Sequence, residues 1–270
     1  VEAAIWLVSM ATATMRVLPW RDIMTSLNRM LSVLDLFTAA RPVWEADRIV
    51  EALGCSTPTG YRYLKELMLA GLLQRFNGGF YALGPRITLL DYVIRSTDPL
   101  LAASIPQMRE LVTLTGCHCT LSRLDGDVFL DLHHECSNQE IALIYGRGRP
   151  RPMFSGSAPK VVIANQTSKQ QRGLFERCRE EVLAAGLGET EEAFLKRMQQ
   201  IRKAGCYRAD EELAVGVSSL SVPVRFAPKE HCAALALVSS TQHFAQSNVG
   251  EWQDKLKKAA RRIALALGGE

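Results

Sequence analysis

The stretch Ser56-Thr57-Pro58-Thr59-Gly60-Tyr61-Arg62-Tyr63-Leu64-Lys65-Glu66-Leu67-Met68-Leu69-Ala70-Gly71 decides the fold of the first part of the chain. Hydroxyl residues with a proline in the first turn are a helix start. At about 100° per residue, Gly60, Leu64, Leu67 and Gly71 share one narrow face that packs inward. Pro58, Tyr61, Arg62, Lys65 and Leu69 point the other way. Upstream, residues 44–53 read as a helix with Ile49, Val50 and Leu53 on its buried side and Gly54 as its stop. Before that, Leu27, Met30, Leu31, Leu34 and Phe37 recur at helical spacing until Arg41-Pro42. Downstream, Asn77-Gly78-Gly79 between two β-prone runs predicts a hairpin. Helix, short turn, helix and basic-flanked hairpin make a winged helix-turn-helix, an arrangement that reads double-stranded operator DNA. Ser56, Thr57, Pro58, Thr59 and Tyr61 are expected to meet base edges and phosphates, with Arg62 and Lys65 holding the backbone and Arg75 and Asn77 reaching phosphates or a minor groove. Arg62, Lys65, Arg75, Arg86 and Arg95 outnumber Glu66 and Asp91 over this region.

The totals agree with two domains: 270 residues, against a prior of ~150 per domain. Hydrophobic residues at 47% and charged residues at 22% exclude disorder along the whole length. No apolar run approaches the ~20 residues of a membrane-spanning helix, so no membrane partner is expected. A net charge of +4 is too small to argue for nucleic acid without the local excess above. Seven scattered cysteines do not form a disulfide framework, and we expect reduced thiols in a cytoplasm. Residues 1–26 are set aside as an N-terminal extension, disordered or artificial; the winged helix is expected over residues 27–84.

Residues 87–95 read as a helical linker within residues 85–105, and Asp98-Pro99 opens a helix that Gly116 ends. A second domain, residues 106–270, is expected to be α+β. Its sheet begins with a hairpin turning at Asp125-Gly126, followed by a strand over 140–145 and a loop carrying Arg147, Arg149 and Arg151. We read those arginines as a solvated basic loop or a subunit contact. A helix from Ser157, two amphipathic helices over 170–184 and 190–203, and two closing strands complete the domain.

Together, the order and spacing of these pieces resemble the IclR family of bacterial transcriptional regulators. Gly54-Cys55-Ser56-Thr57-Pro58-Thr59-Gly60-Tyr61-Arg62-Tyr63-Leu64 is similar to its recognition-helix segment, and Phe80-Tyr81-Ala82-Leu83-Gly84-Pro85-Arg86 to its wing exit. Lys203-Ala204-Gly205-Cys206-Tyr207, then the acidic loop ending at Gly216, Ser221-Val222-Pro223-Val224 and the run Cys232 to Val238 resemble its C-terminal signature. The resemblance implies a GAF-like effector-binding domain, a homodimer or homotetramer, and a small organic acid as effector. It places effector positions at Phe154, Ser157, Ala158, Asp210 (or Ala209), Ser219, Ala236 and Val238. Apolar Ala236 and Val238, and Phe154 where the family has histidine, favour an aromatic or other hydrophobic acid over a two-carbon one.

Cys117-His118-Cys119 and His133-His134-Glu135-Cys136 are the cluster with metal chemistry. Cys117 and Cys119 share a strand face, to which the hairpin could bring His133 or Cys136. Buried structural thiols are the expectation, and neither a metal nor a cofactor is assigned. Cys119 with His133 lacks an oriented third group for nucleophilic catalysis. No phosphate loop, dinucleotide fingerprint or carboxylate pair is present, so no enzyme is expected. The competing class is a zinc- or thiol-dependent sensor or enzyme domain tethered to a winged helix.

Overall fold

The computed structural model describes residues 25–76, 78–138, 141, 146–148, 150–226 and 231–269, and the chain divides into two units, Val1–Thr97 and Asp98–Glu270. No helix among the described residues is long and apolar enough to cross a membrane.

In the first unit, α1 (Ser26–Leu31) is capped by Thr25, whose hydroxyl accepts from the Asn28 N–H. It stops well before Phe37. Ser32 folds its hydroxyl onto the Arg29 carbonyl, and a 3₁₀ turn, Leu34–Leu36, follows. The three-residue spacing of Leu31, Leu34 and Phe37 suits a 3₁₀ turn as well as a helix, so the sequence pattern overran the element. Likewise, Trp44 and Glu45 are not helical. They form β1 (Trp44–Glu45), paired with Tyr81 and Phe80, and α2 (Ala46–Leu53) begins only after them. Gly54 closes α2 in the left-handed region at φ 59°. Next come α3 (Thr57–Leu69), β2 (Leu73–Arg75), β3 (Phe80–Leu83) and α4 (Pro85–Thr97). The strands form an antiparallel sheet in the order β1-β3-β2. Val33, Ile49, Leu64, Leu67, Leu73 and Tyr81 make the core beneath α3.

In the second unit, α5 (Pro99–Thr115) has Asp98 as its cap and Gly116 as its left-handed stop. The sheet comprises β4 (His118–Asp125), β5 (Val128–Glu135), β6 (Pro150–Arg151), β7 (Tyr207–Asp210), β8 (Val217–Phe226) and β9 (His231–Ser240). It is antiparallel throughout, in the order β6-β5-β4-β9-β8-β7. The strand expected over residues 140–145 lies outside the described residues except at Ile141, which is in no strand.

Strand alternation divides the sheet's residues between two layers. One face takes Cys119, Leu121, Leu220, Val222, Leu235 and Leu237 into a core with α5 and α11 (Val249–Ala266). The opposite face takes Phe129, Ala234 and Ala236 against α6 (Ser157–Ala164). Behind α6 lie α7 (Ser168–Arg177), α8 (Arg179–Ala184) and α9 (Glu191–Ala204). The helix expected over 170–184 is thus two, parted at Cys178, where φ is −123° and the helical turn is lost. A short α10 (Thr241–Gln246) links β9 to α11.

Candidate functional site

Two groups of residues could carry function, one in each unit. In the first, α3 buries Gly60, Tyr63, Leu64 and Leu67 and exposes Ser56, Thr57, Pro58, Tyr61, Arg62 and Lys65; Thr59 is half-buried. Ser56 occupies the N-cap position, but its hydroxyl donates to Thr59 Oγ1 at 2.9 Å and makes no cap bond to backbone. The positive end of a 13-residue helix, with no acid in its first turn, is therefore left to an outside anion. Tyr61 is tethered: its hydroxyl donates to Asp47 Oδ1 at 3.1 Å, and that bond pushes its pKa up. No sequence pattern announces this link between α2 and α3. Arg75 is exposed on β2, and its guanidinium lies 5.9 Å from the Tyr81 ring centroid. Asn77 lies outside the described residues.

In the second unit, the start of α6 meets the sheet. Ser157 Oγ donates to Ser219 Oγ at 2.8 Å and lies 2.6 Å from Ser221 Oγ. All three residues are buried. Ser219 pairs across strands with Val238, Ser221 with Ala236, and Ala236 also with Thr120. Thr120 is only 5% exposed, and its hydroxyl has no hydrogen-bond partner among the described residues. An unpaired buried hydroxyl costs about 1–3 kcal/mol, so its place on this face argues for a ligand or water there.

The geometry therefore brings Ser157, Ala158, Ser219, Ala236 and Val238 together. Asp210 is not among them. Its side chain is exposed, accepting from Ser218 Oγ and Arg208 Nε, which hold its carboxyl below the usual range; the neighbouring Ala209 is the inward residue. Strand alternation decides between these adjacent positions, and counting from Gly216 had left both open. Phe154 is buried in the cluster of α6–α9 with Val161, Phe175 and Phe194.

Sequence reasoning missed Glu212. Its carboxylate accepts from the Gly156 N–H at 2.9 Å, from Lys160 Nζ and from the Tyr207 hydroxyl, so the chain supplies its own anion beside the α6 start. The lysine and the acidic loop were each visible in the sequence, but nothing tied them together. Arg151 also departs from the sequence expectation. It sits in β6, not in a solvated loop, and donates to Asp131 Oδ1 at 3.0 Å, with the two side chains 5% and 1% exposed. Arg149 lies outside the described residues, and Arg147 donates to the Leu132 carbonyl.

The thiols separate clearly. Cys117 and Cys119 are buried in the α5–α11 core; His133, paired with Leu121 on the same sheet face, bonds Glu135 at 2.9 Å. Burial pushes the Cys117 thiol up to about 11, Cys232 to about 12, and Cys119 higher still. Cys136 is exposed. Alkylation of the folded protein, mapped by mass spectrometry, is expected to modify Cys136 first and to spare Cys117, Cys119 and Cys232 until denaturant is added. Rapid labelling of Cys119 in the folded chain would contradict the strand's orientation.

Known proteins agree with this architecture. The IclR helix-turn-helix domain matches residues 26–75, and the bacterial transcriptional regulator IclR C-terminal domain matches residues 93–265. The HTH-type transcriptional regulator XynR of Escherichia coli is 26% identical over 250 residues, covering 91% of this chain and 98% of that protein. An IclR homologue from Microbacterium hydrocarbonoxydans, solved with 4-hydroxybenzoate, has the same fold at a TM-score of 0.70 and 22% identity, over 90% of this chain and 99% of that one. An IclR family transcriptional regulator from Brucella abortus aligns at a TM-score of 0.74 and 19% identity, over 91% and 93%. With a helix-turn-helix in its first unit and the C-terminal domain spanning most of its second, this chain belongs to the IclR family of DNA-binding transcriptional regulators.

Proposed function

We propose that the protein binds operator DNA through α3 and the β2–β3 wing, and that a small hydrophobic or aromatic carboxylic acid in the second unit sets that affinity. The observation that carries the effector part is the buried hydroxyl set Ser157, Ser219 and Ser221, with Thr120 lacking a partner among the described residues on the same sheet face. Hydroxyls anchor a carboxylate, while Ala158, Ala236 and Val238 offer apolar walls. The 4-hydroxybenzoate held by the Microbacterium homologue supports an aromatic acid. Because Glu212 already occupies the Gly156 N–H, the acid is held by the hydroxyls or displaces Glu212.

The DNA part rests on the uncapped N-terminus of α3 and the exposed Arg62 and Lys65 one turn on. Two half-sites require two copies, as a homodimer or a homotetramer built from it. Leu89, Leu90, Tyr92, Val93 and Ile94 of α4 are all exposed and offer the apolar face a second copy would cover.

The test is fluorescence anisotropy on DNA upstream of the protein's own gene, with and without acids. Binding is expected with two chains per operator, and Arg62→Ala and Lys65→Ala should each weaken it and flatten its log–log salt slope by about 1. Benzoates should shift the affinity. Unchanged slopes in both variants would remove α3 from the interface, and tight glyoxylate binding with no response to benzoates would replace the aromatic effector by a small one.

A further inference from the structure

A second constellation lies at the β4–β5 edge of the hydroxyl-lined face. We propose that His118, His134 and Cys136 bind one zinc ion through two imidazoles and a thiolate, leaving a fourth coordination position open.

The placement comes from a β-bulge. Ser122 pairs with Asp131, but after the register shift between Leu121 and Ser122, Leu121 pairs with His133 and Thr120 with His134. Leu132 is the extra residue, and it exchanges the faces of everything beyond it. His134 therefore joins His118 and Thr120 on one face, while His133 and Glu135 turn to the other, where Glu135 meets Arg109 of α5. Cys136 follows two residues after His134 and returns to its side.

Distances decide what this cluster can do. His134 Nε2 lies 3.3 Å from His118 Nδ1, and Cys136 Sγ lies 3.9 Å from the His134 ring nitrogens. One donor atom from each residue fits within 4.8 Å of the other two. Tetrahedral zinc, with Zn–N of about 2.0–2.1 Å and Zn–S of about 2.3 Å, separates two nitrogens by ~3.3 Å and nitrogen from sulfur by ~3.6 Å. The cluster already has the first edge and is within a few tenths of an ångström of the second. As hydrogen bonds, the same contacts are long and weak.

The donor chemistry is selective. Two imidazoles and a thiolate suit zinc and exclude magnesium and calcium, which take oxygen. The Ser137 N–H donates to His118 Nδ1 at 3.3 Å, so that nitrogen carries a lone pair and not a proton, and zinc would take the lone pair over from this long bond. His118 is buried, His134 half-buried and Cys136 exposed, so an ion has a path in from solvent. Three protein ligands with an open position suit an exchangeable fourth ligand, water or a carboxylate. The zinc assignment does not depend on the effector reading.

The experiment uses the full chain, stripped with a chelator under reducing conditions, then titrated with zinc against a chromophoric chelator and separately with cobalt(II). One equivalent of zinc per chain is expected, and cobalt should give visible bands of tetrahedral intensity with a near-ultraviolet thiolate charge-transfer band. Cys136→Ser should remove the charge-transfer band and weaken zinc at least tenfold, and His134→Ala should weaken it about 100-fold. Less than about a tenth of an equivalent at micromolar zinc overturns the proposal, because a built three-ligand site would fill. Stoichiometric binding unchanged in Cys136→Ser overturns it equally, by placing the ion on other thiols. Cys136 is exposed, so its replacement leaves the fold intact and decides the matter even if His134→Ala does not fold.

Discussion

Asp131→Ala is expected to destabilise the second unit by about 3–5 kcal/mol, because it removes the carboxylate that a buried guanidinium is paired with. Asp131 accepts from Arg151 Nη1 at 3.0 Å and from Ser122 Oγ at 2.6 Å, and only 1% of its side chain is exposed. The pair joins β5 to β6, which among the described residues pair through Phe129 with Arg151 and Leu130 with Pro150. At the ~2–3 kcal/mol per molar urea of a domain this size, that cost moves the unfolding midpoint by roughly 1–2.5 M. Removing both charges should cost far less, since Asp131→Ala with Arg151→Met trades an ion pair for apolar packing. If the double variant were as unstable as Asp131→Ala alone, the loss would come from the Ser122 bond or from packing. Urea unfolding of the single and double variants separates these cases, with helix and sheet signals followed together.

The contrast between the two arginine readings shows where sequence reasoning stopped. Local signals did well: Gly54 and Gly116 end helices in the left-handed region, and Asp125-Gly126 turns the first hairpin of the sheet. Each depends on a few adjacent residues. Arg151 and Asp131 are 20 residues apart, and their pairing exists only once β5 and β6 are side by side. The same limit applies to Glu212, 56 residues beyond Gly156. The histidines were left open for a subtler reason. Strict alternation would put His133 with Thr120, and one extra residue in β5 hands that position to His134. Nothing in Leu130-Asp131-Leu132-His133 announces a bulge, so only the register shows that His133 shares the face of Cys119 while His134 falls on that of His118 and Thr120. Serines at 157, 219 and 221 were partly legible, because the first two fell on family positions. Ser221 and Thr120 became visible only through the register of β4, β8 and β9.

Gly60→Ala tests the other unit, and its expected result is a loss of about 1–2 kcal/mol together with at least tenfold weaker operator binding. Alanine would ordinarily favour a helix interior by about 1 kcal/mol over glycine, so intrinsic propensity alone predicts a gain. Packing opposes it. A Cβ at Gly60 would lie 2.4 Å from Val50 Cγ2, 3.2 Å from its Cβ and 3.3 Å from Cγ1. Val50 is buried on α2, and a β-branched side chain in a helix has one strongly preferred rotamer, so it cannot swing clear. The two helices must separate or tilt. That movement strains the Tyr61–Asp47 bond across the same crossing and displaces Arg62 and Lys65 relative to the rest of the unit. Val50→Ala should therefore rescue much of the loss in the double variant, with a coupling energy of at least about 1 kcal/mol. Zinc and acid binding in the second unit should be unaffected. A Gly60→Ala protein as stable as the parent, with undiminished DNA affinity, would mean that the α2–α3 crossing is looser than these distances require and that its geometry does not set the reading face.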